Sequence, residues 1–431
     1  MKILTTLVAL TLGTMSMAAH LDIVPDKPHY QVGETAIFTV TAWESDQQKL
    51  TGGCFEITLF DSGQRLSGNS IKVDLSVQNP LRITVKAERS GFIMLKAGSC
   101  TMPDGQVIKW ANKPFLPMGA AAVAPEKLQS ATALPEDFDE FWQRGIEKFK
   151  HASITVVPAE NIRRNGYNVF RLTVALPDKS WSMDGLLSVP QAPGKYPAVV
   201  SVPGAGPGTV GPVPYVRSRT PAIELFMNLH NFPMALTSQQ QQERYKCYNA
   251  SFPEKAYMYA GADDRGKYTY FYAWLALNRA VDHILLMDEF DGKNLAATGS
   301  SQGGGSALAL AYLNKRVSCV VANVPAFCDH HGWKLGRSSG WPHLHDKLQG
   351  RADAAAPYFD AANFARFIRV PALISAGYVD TVCPPSSVYA MYNNLPGRKT
   401  FYPMYRQGHV LNREFRDFAA EFLQKEFGEK P

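Results

Sequence analysis

The sequence lacks the cysteine spacing that structural metal sites use. Its 431 residues include six cysteines, but none forms a CxxC pair. Their spacing does not indicate a disulfide framework either. Cys54 and Cys100 fall in the same N-terminal region and could form a bridge, or they could be buried free thiols. The sequence leaves both interpretations open and predicts no bound metal.

The chain also lacks a block of basic residues and an apolar run long enough to cross a membrane. Its formal net charge of +6 comes from 44 Lys and Arg against 38 Asp and Glu, spread along the chain. We therefore predict a mildly basic surface and no nucleic-acid partner. No low-complexity segment is present, and 45% of the residues are hydrophobic, which is typical of a globular protein with a large core.

The first 19 residues have the features of a secretory signal peptide. Lys2 provides the positive charge, residues 3–12 form a short apolar segment, and residues 16–19 offer small side chains for cleavage. The segment contains no cysteine that could accept a lipid, so we predict no membrane anchor. We expect an exported protein, and the sequence does not separate the periplasm from the extracellular space.

Residues 20–118 are predicted to form an all-β domain. Apolar and polar side chains alternate at residues 55–59, 71–75 and 81–85, and turn-forming residues separate these runs. Short strands at this spacing are typical of an immunoglobulin-like β-sandwich. We see no catalytic group there and expect an accessory domain, with residues 119–135 as an alanine- and proline-containing linker.

Residues 136–431 are predicted to form an α/β domain with a mostly parallel sheet. A helix is expected at residues 136–150, followed by strands at residues 167–175 and 185–189. Buried strands then alternate with helices, as in doubly wound sheets. The further candidate strands are residues 198–202, 232–236, 294–298, 319–323, 372–376 and 400–405.

One segment of this domain carries a motif that is typical of a catalytic serine. Residues 299–303 have the sequence Gly-Ser-Ser-Gln-Gly, which places Ser301 at the centre of a Gly-x-Ser-x-Gly motif. A strand-like run precedes it and a helix-like run follows. This context is that of the nucleophile elbow of α/β-hydrolases, where a sharp turn exposes the serine hydroxyl beside a helix N-terminus. The alternative for Ser301 is an ordinary helix N-cap.

A serine hydroxyl needs a base, and that base needs an orienting acid. In this fold the chain order is serine, acid, histidine. Asp380 follows a predicted strand, and His409 follows the next one, so both are expected where open α/β sheets bind their ligands. Asp380 could instead be a turn former, and His409 a surface histidine.

The oxyanion of an acyl-transfer reaction needs two backbone N–H donors. The first is expected from Gln302, which follows the serine. The second is expected from the glycine-rich loop of residues 203–208. Pro203 has no N–H, so Ala205 is the first choice and Gly204 the second.

Residues 327–350 are rich in histidine, tryptophan and glycine, and we expect them to form a cap over the site. Trp333 and Trp341 could stack on a sugar ring or could simply pack beneath the cap. His343 and His345 have no acidic or cysteine partner at ligand spacing, so a metal site is not favoured.

Residues 299–304, 380–385 and 408–409 resemble the motifs of the acetyl xylan esterase / cephalosporin C deacetylase family. Residues 290–293 and 358–364 are similar to that family as well. The resemblance spans the chain from about residue 136 onwards. It implies an α/β-hydrolase that removes acetyl groups from sugar hydroxyls through an acyl-enzyme, a chemistry that requires no metal or other cofactor.

By that resemblance Ser301 is the nucleophile, His409 the base and Asp380 the orienting acid, with Gln302 and Ala205 as the oxyanion donors. The sequence departs from the family elsewhere. Pro203 stands where the family has a histidine, and Val410 where it has a glutamate. Residues 261–267 occupy the region of the family's Arg-Gly-Gln tripeptide.

We therefore predict a secreted serine esterase acting on acetylated carbohydrate, such as acetylated xylan or its oligosaccharides. Two alternatives stay open. One is a serine peptidase of the prolyl-oligopeptidase type, although about a hundred residues are too few for its propeller. The other is a non-catalytic protein that binds glycans. A homo-oligomer is open as well, because some family members form ring-shaped hexamers.

Overall fold

The computed structural model describes residues 19–45, 47–111, 116–177, 182–208, 211–214, 216, 218–232, 234 and 237–428. Most of the predicted signal peptide, residues 1–18, lies outside these residues. Two regions follow one another along the chain, an N-terminal pair of β-sheets and a large mixed sheet flanked by helices. Among the described residues, no helix combines the length and apolar composition needed to span a bilayer.

The N-terminal region is the predicted β-sandwich. Its strands are β1 (His20–Pro25), β2 (His29–Tyr30), β3 (Thr35–Ser45), β4 (Gln48–Lys49), β5 (Cys54–Asp61), β6 (Gln64–Asp74), β7 (Leu81–Lys86), β8 (Gly91–Ala97), β9 (Cys100–Thr101), β10 (Val107–Ile108) and β11 (Met118–Val123). Strands β1, β3, β4 and β7 form one sheet, and the other seven form the second. The sandwich forms because alternate side chains, such as Ala36, Phe38 and Val40 of β3, are buried between the sheets.

Strand β11 corrects the predicted domain boundary. Residues 118–123 pair with β8 along their whole length, so the segment predicted as the start of the linker is the last strand of the sandwich. Every side chain of β11 is buried, because one face packs into the sandwich core and the other into the contact between the two domains. A run of alanines buried on both faces shows no apolar–polar alternation, which is why the pattern did not predict it.

The structure describes all six cysteines as free thiols. Cys54 is exposed at the start of β5, whereas Cys100 is buried in the sandwich core. The structure therefore agrees with the free-thiol interpretation, in which the side chains of the two cysteines do not form a bridge.

The C-terminal region has a nine-stranded sheet. Its strands are β12 (Ile154–Pro158), β13 (Tyr167–Ala175), β14 (Ser182–Pro190), β15 (Tyr196–Val202), β16 (Ile223–Met227), β17 (Phe290–Ser300), β18 (Cys319–Asn323), β19 (Ala372–Gly377) and β20 (Lys399–Met404). The order across the sheet is β12-β13-β14-β16-β15-β17-β18-β19-β20. The first four are joined by antiparallel pairing, and β16 and all the strands beyond it pair in parallel, as an α/β-hydrolase sheet requires.

Helices cover both faces of this sheet. They are α1 (Phe138–Phe149), α2 (Ser238–Ala250), α3 (Thr269–Leu285), α4 (Gln302–Leu313), α5 (Leu344–Leu348), α6 (Ala361–Ala365), α7 (Pro385–Asn393) and α8 (Arg413–Glu426). Helix α4 is buried throughout and lies at the centre of the domain core, whereas α8 packs on a separate apolar cluster.

Of the strand predicted at residues 232–236, the structure describes residues 232 and 234, and neither lies in a strand. The structure forms β16 nine residues earlier, and residues 233, 235 and 236 lie outside the described residues. Glu224 within β16 interrupts the apolar run, which weakened its signal in the sequence. The carboxylate, which is almost fully buried, is tolerated because the partly buried Arg164 donates to it through Nη1 at 2.6 Å.

The two domains share an apolar interface. Phe92 of β8 packs edge-to-face on Tyr378, with ring centroids 5.0 Å apart, and also contacts Tyr389. The hydroxyl of Tyr378 lies 2.6 Å from Nε2 of His29. Because Tyr378 directly follows β19, the sandwich packs against the loop that carries Asp380.

Candidate active site

Ser301 lies on a sharp turn between β17 and α4. Its backbone has φ +59° and ψ −121°, a conformation that non-glycine residues rarely adopt. The turn is held from both sides, since Ser301 N–H donates to the Asn323 carbonyl and the Ser301 carbonyl accepts from Ala326 N–H, each at 2.9 Å. A side-chain carbon at Gly303 would lie 1.9 Å from the Val202 carbonyl oxygen, so this position needs glycine. The local structure is that of the predicted nucleophile elbow.

The structure brings the three predicted residues Ser301, His409 and Asp380 together. His409 Nε2 lies 2.8 Å from Ser301 Oγ, and His409 Nδ1 lies 2.8 Å from Asp380 Oδ2. A carboxylate opposite Nδ1 places the ring proton there and leaves Nε2 free to accept the serine proton. The arrangement can therefore activate the hydroxyl of Ser301.

Asp380 is held rigidly in this arrangement. It is 1% exposed, and its second oxygen, Oδ1, accepts the backbone N–H groups of Val382 at 2.8 Å and Cys383 at 2.9 Å. These bonds close a turn directly after β19 and direct Oδ2 towards His409. Both functions of the aspartate, forming the turn and orienting the imidazole, are thus present in the same side chain.

A small cleft of about 290 Å³ opens beside the elbow, at Ser300. Its lining residues are Pro203, Gly204, Ala205, Gly206, Pro207, Gly208, Ser300 and Leu411. The predicted oxyanion loop therefore lies next to the elbow, with Ala205 in the cleft wall. Gln302 is the first residue of α4, so its N–H belongs to the free donors of a helix N-terminus.

The side chain of Gln302 is fixed by two tyrosines that sequence reasoning missed. Its amide oxygen accepts from the hydroxyls of Tyr257 and of Tyr270, the latter at 2.6 Å. All three side chains are fully buried, and burial raises the pKa of both tyrosines, so both hydroxyls stay protonated donors. The apolar spacing of α3 indicated a core helix but gave no sign that Tyr270 reaches the elbow.

Asn323, the last residue of β18, is a second missed residue. Its side chain is fully buried and bonds to three other segments of the chain. Nδ2 donates to Ser300 Oγ at 2.7 Å and to the Val410 carbonyl at 3.0 Å, and Oδ1 accepts from Ser375 Oγ at 2.7 Å. An asparagine at a strand end is a weak sequence signal, because such residues commonly begin turns.

The family model described as acetyl xylan esterase (AXE1) matches residues 125–426. The curated acetyl esterase Axe7A of Xylanibacter ruminicola is 33% identical over 331 residues, which cover 73% of this chain and 74% of that protein. The chain belongs to the acetyl xylan esterase family.

Solved structures support the fold of this family member. Acetyl xylan esterase 1 from Thermoanaerobacterium sp. JW/SL YS485 aligns with a TM-score of 0.56 at 21% identity, covering 70% of this chain and 98% of that one. The acetyl xylan esterase from Paenibacillus sp. R4 gives 0.55 at 21% identity, with the same coverage. The predicted family and α/β-hydrolase fold are confirmed, and the protein is a serine esterase by class.

The predicted cap of this esterase lies between β18 and β19. Trp333 stacks on His345, with ring centroids 3.8 Å apart, and Trp341 packs on Phe327 at 5.5 Å. Neither tryptophan is among the residues that line the cleft at Ser300. Their contact with a sugar stays a prediction.

The histidines of residues 327–350 lie close to protein groups. His345 Nδ1 pairs with Asp353 at 2.9 Å, and burial lowers the pKa of His343. Within the described ranges, no group of three or more His, Cys, Asp or Glu side chains could hold a metal ion.

A buried polar network anchors the base of the cap. Asp360 accepts the N–H groups of Asp329 at 3.0 Å and His330 at 2.6 Å, and Asp329 pairs with Arg337 at 2.6 Å. Burial, together with the neighbouring charge of Asp329, raises the pKa of Asp360 to about 7. This carboxyl group is thus poised to change charge within the ordinary range of pH.

Proposed function

We propose that this esterase removes acetyl groups from acetylated carbohydrate, with acetylated xylan or its oligosaccharides as the substrate class, after export from the cytoplasm. The observation that carries the proposal is the hydrogen-bonded chain from Asp380 through His409 to Ser301. Membership of the acetyl xylan esterase family and the similarity to a curated acetyl esterase support the choice of the acetyl group.

The first half of the reaction follows from this geometry. Ser301 Oγ attacks the acetyl carbonyl carbon while its proton passes to His409 Nε2. The oxyanion that forms is stabilised by the N–H groups of Gln302 and Ala205. As the intermediate collapses, the bond from carbon to the sugar oxygen breaks, and His409 returns the proton to that oxygen.

The second half repeats these steps with water. His409 accepts one proton from a water molecule, which attacks the acetyl-serine. As this proton returns to Ser301, acetic acid leaves with the second proton of the water and ionises to acetate in the solvent. Asp380 stabilises the imidazolium form of His409 in both halves without itself being protonated. Every proton and electron pair is accounted for by these side chains, the ester and water.

The shape of the site supports a small acyl group. The cleft at Ser300, the residue before Ser301, has a volume of about 290 Å³, which lies at the lower end of ordinary ligand sites. Six of its lining residues are glycine, alanine or proline, and the others are Ser300 and Leu411, so the backbone of residues 203–208 would lie close to a bound ester. The carbohydrate would then extend from the cleft, where Trp333 and Trp341 of the cap are the proposed stacking surfaces.

The test is acetate release from acetylated xylan and from an aryl acetate by the wild type, Ser301→Ala and Ser300→Ala. Ser300→Ala is a matched control, because it removes a serine hydroxyl from the residue directly before Ser301. We expect Ser301→Ala to lower kcat on both substrates by about 10⁴-fold or more, and Ser300→Ala to retain activity within about 10-fold. Turnover of the aryl acetate without acetate from xylan would remove the xylan assignment. Inactivity of the folded wild type on both esters would overturn the proposal.

A further inference from the structure

We infer that Asn323 is a positioning residue, which holds the loop carrying His409 against the elbow carrying Ser301. The inference rests on the proposed function, because it concerns the same serine and histidine. Asn323 does not touch the reacting atoms, and its effect is exerted through its neighbours. It lies at the C-terminal end of β18, between β17 and β19, at the centre of the sheet edge where the site is built.

The hydrogen bonds of Asn323 determine how its amide group is oriented. A backbone carbonyl can only accept, so the group that faces the Val410 carbonyl at 3.0 Å must be Nδ2. The second hydrogen of Nδ2 is directed to Ser300 Oγ at 2.7 Å. Rotating the amide by a half turn would place two oxygens against each other. The bond from Ser375 to Oδ1 agrees with this single orientation.

Each partner of this side chain belongs to a segment that carries one member of the proposed triad. Ser300 directly precedes Ser301, and Val410 directly follows His409. Ser375 lies on β19, which leads into the turn of Asp380. A backbone bond adds to the set, because the Asn323 carbonyl accepts from Ser301 N–H at 2.9 Å. One buried residue therefore connects the serine, histidine and aspartate segments.

The histidine segment has particular need of such a connection. His409 lies between β20 and α8 in a stretch without helix or strand, and its side chain is about one-quarter exposed. Residue 410 is a valine, so only its backbone offers a polar group to the elbow. The Asn323 bond to that carbonyl is thus well placed to fix the distance between His409 Nε2 and Ser301 Oγ. A displacement of about 1 Å between a base and the nucleophile that it activates lowers the rate by about 100-fold.

The test compares Asn323→Ala with Asn363→Ala. Asn363 is a matched control because it is also fully buried, donates through Nδ2 to two carbonyls (Ala133 and Pro357) and accepts through Oδ1, from Arg366. Both variants should lose stability to a similar extent, so melting temperatures come first. The activity measurements are kcat and KM on an aryl acetate and the rate of serine phosphonylation by a small, uncharged fluorophosphonate.

We expect Asn323→Ala to lower kcat and the phosphonylation rate by about 100-fold, with KM changed by less than about 3-fold. Asn363→Ala should keep both rates close to those of the wild type despite its lower melting temperature. Phosphonylation involves no sugar, so a slower reaction reports on the serine and its base and not on substrate binding.

Three results would overturn the inference. The first is a kcat and a phosphonylation rate of Asn323→Ala within about 3-fold of those of the wild type. The second is a rise in the KM of Asn323→Ala at unchanged kcat, which would indicate a substrate contact. The third is an equal loss of rate in Asn363→Ala, which would indicate a general effect of stability. All three leave the proposed function intact provided that the wild type is phosphonylated. A folded wild type that does not react would overturn the proposed function as well.

If Asn323→Ala does not fold, Asn323→Asp gives the same test. The aspartate keeps the size of the side chain and the acceptor for Ser375, but at pH 8 it places a carboxylate oxygen opposite the Val410 carbonyl. We expect at least about a 10-fold loss of kcat from that repulsion. A kcat within about 3-fold of the wild type would contradict the positioning role.

Discussion

The two domains of this esterase differ in what they bury. In the described part of the sandwich, the buried polar side chains are Thr41 and Ser62, and Ser62 lies at the contact with the other domain. The hydrolase domain buries many more, among them Gln302, Asn323 and Asp360. A buried polar group is costly unless it is hydrogen-bonded, so its presence usually serves a requirement that an apolar side chain would not meet. Asn323, for example, bonds to the segments that carry Ser301 and His409.

The strands of the two domains show the same difference. In β7 of the sandwich, inward and outward side chains alternate, whereas β19 of the hydrolase is buried along its whole length. Alternation is visible in the sequence, and continuous burial resembles any other apolar run. Sandwich strands such as β7 can therefore be recognised from their alternation, whereas a strand such as β19 has to be recognised from its length and its flanking residues.

The largest effect is expected from Gly303→Ala in the elbow. The added methyl group would lie 1.9 Å from the Val202 carbonyl oxygen, and no rotation relieves a clash with the backbone. We expect a loss of at least about 4 kcal/mol in the free energy of unfolding and of more than about 100-fold in kcat. Urea denaturation measures the free energy of unfolding, and aryl acetate hydrolysis measures kcat.

Gly33→Ala in the sandwich provides the control for this variant. Gly33 has φ +96° with no atom within 4 Å of an added methyl group, so the cost is backbone strain alone, about 1 kcal/mol. Activity should not change. A similar loss of activity in both variants would contradict the view that the elbow is the more constrained turn.

The next effect concerns the contact between the domains. Phe92 is 1% exposed and packs on Tyr378, next to the loop of Asp380. Phe92→Ala should cost about 3 kcal/mol of stability and also lower kcat, because the aspartate loop loses its support. Phe38→Ala, in the centre of the sandwich core, should cost as much stability and leave kcat unchanged. Equal kcat values for the two folded variants would show that the sandwich does not influence the site.

The smallest effect on kcat is expected in the buried network of the hydrolase domain, where the predicted change is a pH dependence of stability. Burial raises the pKa of Asp360 to about 7, above that of an unfolded aspartate at about 3.9. Between these values the folded protein holds a proton that the unfolded chain has lost, so stability falls as the pH rises through this window. Asp360→Asn removes the titration. The stability of the wild type relative to the variant should therefore decrease from pH 4 to 7, by at most about 1.4 kcal/mol per pH unit.

Measuring this difference between two proteins removes the contribution of groups that do not interact with Asp360. Burial lowers the pKa of His330 to about 3, so this histidine makes stability increase with pH, but it does so in both proteins. Urea unfolding at several pH values gives the difference directly. A difference that is constant from pH 4 to 7, or that increases, would contradict the raised pKa.

The sequence predicted best those residues whose proposed function requires a fixed position relative to the strands. Ser301, Asp380 and His409 could be predicted because each follows a strand in the order that the fold prescribes, and the structure places them within hydrogen-bonding distance. Strand β16 was misplaced, because the charged Glu224 is compensated by Arg164 far away in the sequence.

The residues that support the site could not be predicted in the same way. Asn323 and Tyr270 have unremarkable neighbours in the sequence, and their roles depend on which segments the folded chain brings together. The boundary at residues 118–123 was missed for a related reason. A strand of small residues that both domains bury has no polar face. Its sequence pattern therefore does not indicate to which domain the strand belongs.

The most direct test of the account is to map the site of phosphonylation. The wild type, Ser301→Ala and Ser300→Ala would each be treated with a fluorophosphonate, digested and analysed by mass spectrometry. We predict a single adduct on Ser301 in the wild type and in Ser300→Ala, and none in Ser301→Ala. An adduct on Ser300, or labelling that persists in Ser301→Ala, would contradict the assignment of Ser301 as the nucleophile.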